Sequence, residues 1–419
     1  MINTYVFGKA GFASMFANLL NYLILRFVPG RSQHLLVFVL AGFTLAFAQL
    51  HKMLYKYGEN GLDMPMNLMF NYCRVTSLAC CIHDGVTIKK ARQAGKEPDL
   101  KKREKAFAIE EMPSFLDFMS YVYFCGGAIS GPWYEYKDFI QMIRSEGHYK
   151  NVPSTLIPAL TRYVNAWMCV GAGLCLALVG FDEDNLMEPF FLENPSLFYK
   201  FGYLWGALKC IMSTYLVGFC FMEVGAIGSG LGYNGNDENG NPKFDRVLSC
   251  NIYKLETSYK VKDFLANWNI STHQWLKYYV YLRMLPNNKR AAINASAALA
   301  TFTVSAIWHG FYPGFFVFFI GAGLLDYHGK VAERTLGPLS EKIGVPGALQ
   351  FVICYVWCYA GCAYFMAAFV LLSFEKFHTV YSSMNYIWHF VVIASIIVLI
   401  PFQPKREKST SAAADAKKA

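Results

Sequence analysis

The stretch SAIWHGFYPGFF, residues 305–316, sets a histidine inside one of the most apolar parts of the chain. Between Ala291 and Asp326, the only side chains that carry charge or titrate near neutrality are His309 and Asp326 itself. An unpartnered polar group in hydrocarbon costs roughly 2–7 kcal/mol. The imidazole is therefore either hydrogen-bonded within packing or kept for chemistry. A second such group stands in NWNIST, residues 267–272, where Asn269 falls between two apolar stripes. Val261, Phe264, Leu265 and Trp268 make one stripe; Trp275, Leu276, Tyr279 and Leu282 make the other, each at helical spacing. The interruption predicts a broken helix, with Ser271 or Thr272 as the N-cap of its second half. A broken helix at membrane depth is tolerated where it lines a cavity or is buried by protein. A neutral imidazole in an apolar chamber can take the proton of a hydroxyl as its oxygen attacks a carbonyl. An amide can hold the imidazole, the nucleophile or the developing oxyanion. Together they suffice for acyl transfer from a thioester, with no metal and no covalent enzyme intermediate.

Other polar residues compete for the role. His273 shares the polar turn with Asn269, His83 precedes a basic segment, and His389 has only Asn385 for polar company. Arg162, Lys209 and Glu223 lie in or beside apolar runs, either as paired structural charges or as the lining of a polar path. Cys354, Cys358 and Cys362 recur on one helical face, a spacing that suits a helix contact better than a metal. No GxSxG, HExxH, Walker or Rossmann pattern is present, nor a CxxC pair.

The elements that must position these groups are membrane spans. Of 419 residues, 55% are hydrophobic and only 16% charged, against about 25% charged in soluble domains. Windows of about 20 apolar residues, long enough for hydrocarbon, place spans near 11–28, 34–51, 113–131, 156–180, 198–222, 291–308, 310–328, 348–373 and 385–401, with less apolar candidates at 64–83 and 258–285. The expected fold is all-α and polytopic, with about nine to eleven transmembrane helices. One membrane domain covers residues 1–403 and a disordered cytosolic tail covers 404–419. The first span lacks a charged leader and cleavage site and is expected to be retained. The run KKARQAGKEPDLKKREK (89–105) holds eight Lys or Arg against three acids, and KREK (405–408) opens the tail. The positive-inside rule puts both in the cytosol. The hydrophobic setting speaks against nucleic acid; anionic lipid or CoA phosphates suit the charge better.

Five blocks in order carry a resemblance: RVTSLACCIHDG (74–85), PSFLDFMSYVYFCGGAISGPWYEYKDF (113–139), GYNGNDENGNPKFDRV (232–247), NWNISTHQWLKYYVYLR (267–283) and SAIWHGFYPGFF. The chain resembles the membrane-bound O-acyltransferase family, in its lysophospholipid acyltransferase branch. Sterol and diacylglycerol acyltransferases carry a doubled tryptophan before the asparagine, whereas this chain reads LANWNIST, with one. The resemblance implies His309 and Asn269 as the catalytic pair around a central chamber. Trp308 and Tyr312 share the histidine motif and are candidates to shape that chamber, as is Trp268 beside Asn269. It also implies a long-chain acyl-CoA as co-substrate, a lysophospholipid acceptor arriving from the bilayer, no bound cofactor or metal, and the endoplasmic reticulum membrane. A sterol, diacylglycerol or protein hydroxyl is the alternative acceptor, and a transporter is the rival of a different class. Head group, acyl-chain preference and oligomeric state stay open at this level.

Overall fold

The computed structural model describes residues 2–28, 32–59, 61, 63–127, 131–285 and 295–403. Helices account for the regular structure, and among these residues the sole strand-like feature is an isolated bridge between Asn236 and Pro242. The long helices are α1 (Lys9–Phe27), α2 (Gln33–Tyr55), α3 (Met64–Gln93), α4 (Leu156–Leu178) and α5 (Leu197–Gly228). After a broken segment, α6 (Val261–Asn267) and α7 (Ile270–Trp275), come α8 (Ala295–His309), α9 (Pro313–Lys342) and α10 (Gly347–Leu371). The chain ends in α11 (Phe374–Ser383) and α12 (Ile387–Leu399). By length and composition alone, α2, α5, α9 and α10 can each cross a membrane; α11 with α12, bent by 74°, would make a fifth. A helix is the element a bilayer demands, because each backbone donor and acceptor is satisfied inside the segment.

The helix starts are chemically specified. Asp63 accepts the Met66 backbone N–H at 3.1 Å and Pro65 sits in the first turn of α3, where its missing donor does no harm. Ser196 caps α5 through the Tyr199 N–H at 3.2 Å. Packing of α9 on α10 depends on small residues: a Cβ on Gly314 would stand 1.9 Å from the Ala368 carbonyl oxygen. Such close approach is how helices associate where no hydrophobic drive separates lipid from protein. Cys358 and Cys362 are buried in the core around this contact, and no metal-binding cluster occurs among the described residues.

Three expectations need correction. The expected span 113–131 is not one helix: it runs Phe115–Val122, then a single 3₁₀ turn Cys125–Gly127. The GGAISGP stretch holds poor helix formers, and a fully buried Arg74 supplies donors instead. Its guanidinium donates to the carbonyls of Val122 and Gly127, each at 2.8 Å, and of Gly131 and Pro132, each at 3.3 Å. Second, neither Ser271 nor Thr272 caps the second half of the broken segment; Asn269 occupies that position, in a left-handed backbone conformation. Third, α3, α5 and α9 run well past the apolar windows 64–83, 198–222 and 310–328. The tail 404–419 and the first residues of the expected span 291–308 lie outside the described residues.

Candidate active site

His309 is the last residue of α8. Its direction is set by what holds its neighbours. The Trp308 indole N–H donates to the Met69 carbonyl at 2.9 Å, and the Trp308 carbonyl accepts from Gln49 Nε2 at 3.3 Å. Gly310 then turns the chain at φ +136°, its N–H bonded to the Ala306 carbonyl at 3.0 Å. Pro313 opens α9, and Gly314 N–H ties this start to the Leu372 carbonyl at 2.9 Å. The imidazole is partly buried among rings: Phe319 at 4.9 Å between centroids, Phe369 at 5.3 Å and Phe315 at 5.7 Å. Among the described residues neither ring nitrogen makes a hydrogen bond, so both are free to engage a ligand.

Asn269 is built differently. α6 closes with the Trp268 N–H bonded to the Phe264 carbonyl at 3.1 Å, and the chain enters the left-handed region at Asn269, φ 44° and ψ 55°. Asparagine is among the few residues that adopt this conformation readily. The Asn269 carbonyl accepts from His273 N–H at 2.9 Å and starts α7. Asn269 Oδ1 is buried with no hydrogen-bond partner, as are Ser271 Oγ and Thr272 Oγ1. Buried polar atoms are nearly always paired. Three orphans in four residues, at a helix break in an apolar region, mark a place for a polar ligand atom. Past α7 the segment continues as a wider π turn, Leu276–Tyr281, a form enriched at functional sites.

One apolar cleft lies beside the helix break, reached through Trp268, the residue before Asn269. Trp268, Phe264, Met212, Phe318, Phe365 and Met366 are among the residues lining it. Phe318 and Phe319 pack edge to face at 4.9 Å, and Phe319 faces His309. From the other side the Trp268 ring meets Tyr215 at 5.9 Å, Tyr215 meets Phe369 at 6.4 Å, and Phe369 meets His309. No hydrogen bond joins Asn269 to His309. The asparagine therefore does not hold the imidazole directly.

The remaining expected residues divide by contact. Trp268 lines the cleft. Trp308 and Tyr312, each 3% exposed, do not; they anchor the turn around His309, with Tyr312 packed edge to face on Tyr57 at 4.9 Å and its hydroxyl 3.4 Å from the Gly58 N–H. His273 is exposed, His389 bonds Tyr364 at 2.9 Å, and the His83 ring packs on His34 at 4.1 Å. Arg162 and Glu223 pair at 2.8 Å, and Lys209 pairs with Glu256. Gln49 was not singled out by sequence reasoning, although a glutamine in an apolar run carries the same signal as His309.

Residues 30–334, more than half of the chain and inclusive of both Asn269 and His309, match the model of the membrane-bound O-acyltransferase family. The chain belongs to that family. Among its relatives, this membrane-bound O-acyltransferase family member is 28% identical to lysophospholipid acyltransferase 6 of Drosophila melanogaster over 91% of its own length, and 28% identical to lysophospholipid acyltransferase 1 of Arabidopsis thaliana over 84%. It is 27% identical over 93% to the human membrane-bound glycerophospholipid O-acyltransferase 2. The chain spans 53% of the length of the Drosophila protein and 75% of the other two.

Proposed function

We propose that this family member transfers a long-chain fatty acyl group from acyl-CoA to the free hydroxyl of a lysophospholipid in the endoplasmic reticulum membrane. The observation that carries the reading is Asn269 Oδ1, buried without a donor at the helix break, with the His309 imidazole linked to that break through the rings of Phe369, Tyr215 and Trp268. In the proposed reaction His309 takes the hydroxyl proton as that oxygen bonds to the thioester carbonyl carbon. The carbon–sulfur bond then breaks, the CoA thiolate leaves, and the imidazolium returns the proton to sulfur. Asn269 orients the hydroxyl or the developing oxyanion by hydrogen bonding. The apolar lining of the cleft suits an acyl chain, and the names of the relatives support a lysophospholipid acceptor.

The test is direct. Purified protein in lipid nanodiscs is given radiolabelled oleoyl-CoA with a panel of lysophospholipids, a sterol, diacylglycerol and a serine-bearing peptide. Diacyl phospholipid and free CoA thiol should appear in equal amounts. Label passing only to the sterol, the diacylglycerol or the peptide would overturn the acceptor assignment, and thioester left intact in every reaction would overturn the chemistry.

A further inference from the structure

The buried ion pair between Arg162 on α4 and Glu223 on α5 has no part in the reaction as written, yet its geometry leads to the asparagine. Glu223 is fully buried. One carboxylate oxygen faces Arg162 Nε at 2.8 Å; the other, Oε1, accepts two backbone N–H groups, from Ser249 at 2.7 Å and Cys250 at 3.1 Å. That short non-helical segment lies against the helix break. The Ser249 carbonyl accepts the Ile270 N–H at 2.7 Å, and the Asn251 N–H reaches the Asn267 carbonyl at 3.4 Å. Ile270 follows Asn269 directly, so the Ser249 bond fixes the peptide on the C-terminal side of the left-handed residue. One peptide before it, the Trp268 N–H bond to the Phe264 carbonyl holds the end of α6.

We infer that Glu223 is a positioning residue for Asn269, acting through the backbone of Ser249 and Cys250 and the Ile270 N–H. The inference rests on the proposed role of Asn269. Its physical basis is that a carboxylate accepting two backbone donors forms charge-assisted bonds, stronger than neutral ones. A bare ion pair in that place could be exchanged for hydrophobic residues of similar volume with little loss of stability. What such an exchange cannot replace is the acceptor. Without it, two buried N–H groups lose their partner and the segment that holds Ile270 is free to shift. Arg162 faces the other carboxylate oxygen and also donates to the Cys250 carbonyl at 3.5 Å.

The experiment separates acceptor from charge. Two neutral double variants are compared in nanodiscs, Arg162→Met with Glu223→Gln and Arg162→Met with Glu223→Met. The glutamine amide oxygen can still accept from Ser249 and Cys250, so the first pair should keep kcat within about threefold of the parent. The methionine pair should lose roughly tenfold in kcat, one hydrogen bond's worth of transition-state alignment, with KM for both substrates unchanged. Added to Asn269→Ala, the methionine pair should cause no further loss, because both changes act on one group. Parent-like kcat in the methionine pair, or losses that multiply with Asn269→Ala, would overturn the inference while leaving the proposed reaction intact. If Asn269→Ala itself keeps full activity, the role of the asparagine falls and this inference falls with it. Should the methionine pair fail to fold, Glu223→Asp decides: its carboxylate keeps a charge for Arg162 but retracts from Ser249, and the same kcat loss and non-additivity are expected, whereas unchanged kcat overturns the assignment.

Discussion

The Gln49 side-chain amide on α2 donates to the carbonyl of Trp308, the residue before His309, at 3.3 Å across the bundle. Gln49 is 4% exposed, and the carbonyl it serves belongs to the last turn of α8, where intrahelical donors run out. Replacing it with leucine keeps the volume and removes the donor. A buried carbonyl left unpaired costs about 1–3 kcal/mol, and part of that appears as misaimed imidazole. Gln49→Leu should lower kcat roughly tenfold, with little change in KM and a lower melting temperature. Steady-state kinetics beside a thermal melt in detergent checks it; unchanged kcat would mean the histidine is aimed by Met69 and the Gly310 turn alone.

Gly310 holds the other side of that turn. At φ +136° an L side chain is strained, and an added Cβ would stand 3.1 Å from Gln49 Oε1 and 3.4 Å from the Phe315 ring. Strain of this kind costs about 1–3 kcal/mol. Gly310→Ala should therefore destabilise the protein and reduce turnover together. Combined with Gln49→Leu its effect should be less than additive, since both changes disturb one contact. Fluorescence-detected size-exclusion melts of the two singles and the double variant measure this.

The reaction itself is read on His309 and Asn269. General-base contributions are about 10²–10⁴-fold, so His309→Ala, folded and monodisperse, should lose at least about a hundredfold in acyl transfer. Asn269 offers one hydrogen bond, worth about 1.5 kcal/mol, so Asn269→Ala should lose on the order of tenfold. Thiol release from oleoyl-CoA, followed with a chromogenic disulfide, reports both. A His309→Ala protein with parent turnover would remove the base from the mechanism.

Which parts of this site could be read from the chain follows from the range of each signal. His309 and Asn269 stood out because a bilayer demands long apolar runs, and a polar residue inside one breaks the pattern locally. The helix break at 268–269 was legible for the same reason. Its capping residue was not: asparagine, serine and threonine all cap helices readily, and it takes the tertiary fold to show that Asn269 starts this one, from a left-handed conformation. The donor that Gln49 gives Trp308 spans 259 residues of chain, and Arg74 satisfies carbonyls 48 to 58 residues away. Such partners are chosen by tertiary approach, so no local window contains them. The same holds for Glu223, whose charge was visible but whose two backbone donors were not.

Asp84 and Arg283 tie the C-terminal half of α3 to the segment beyond the π turn through two parallel bonds, 2.7 Å and 2.6 Å. Asp84 is 1% exposed and Arg283 about a fifth exposed. Removing one partner of a buried pair costs about 3–5 kcal/mol because the other charge is stranded. Asp84→Asn should fall near the lower end, given the exposure of Arg283. The double change Asp84→Leu with Arg283→Leu should recover much of the loss. Chemical denaturation in mixed micelles would test the order; a double variant weaker than the single one would show that the pair itself, not the stranded charge, stabilises the fold.

Glu135 gives the pH dependence a sign. It lies outside the spans, accepting the Tyr279 hydroxyl and an Arg103 guanidinium N–H, each at 2.6 Å. Burial pushes its carboxyl up to about 7, against the opposing pull of Arg103. An unfolded glutamate titrates near about 4.3, so between these values the folded state binds the extra proton. The stabilisation from protonated Glu135 is fully present below about pH 4.3 and is lost as pH rises through about 7. The parent should therefore melt at a lower temperature at pH 8 than at pH 6. Glu135→Gln mimics the protonated form, still accepts from Tyr279, and should flatten that slope. A slope that survives in Glu135→Gln would assign the pH dependence to another group and leave this carboxyl ionised in the folded protein.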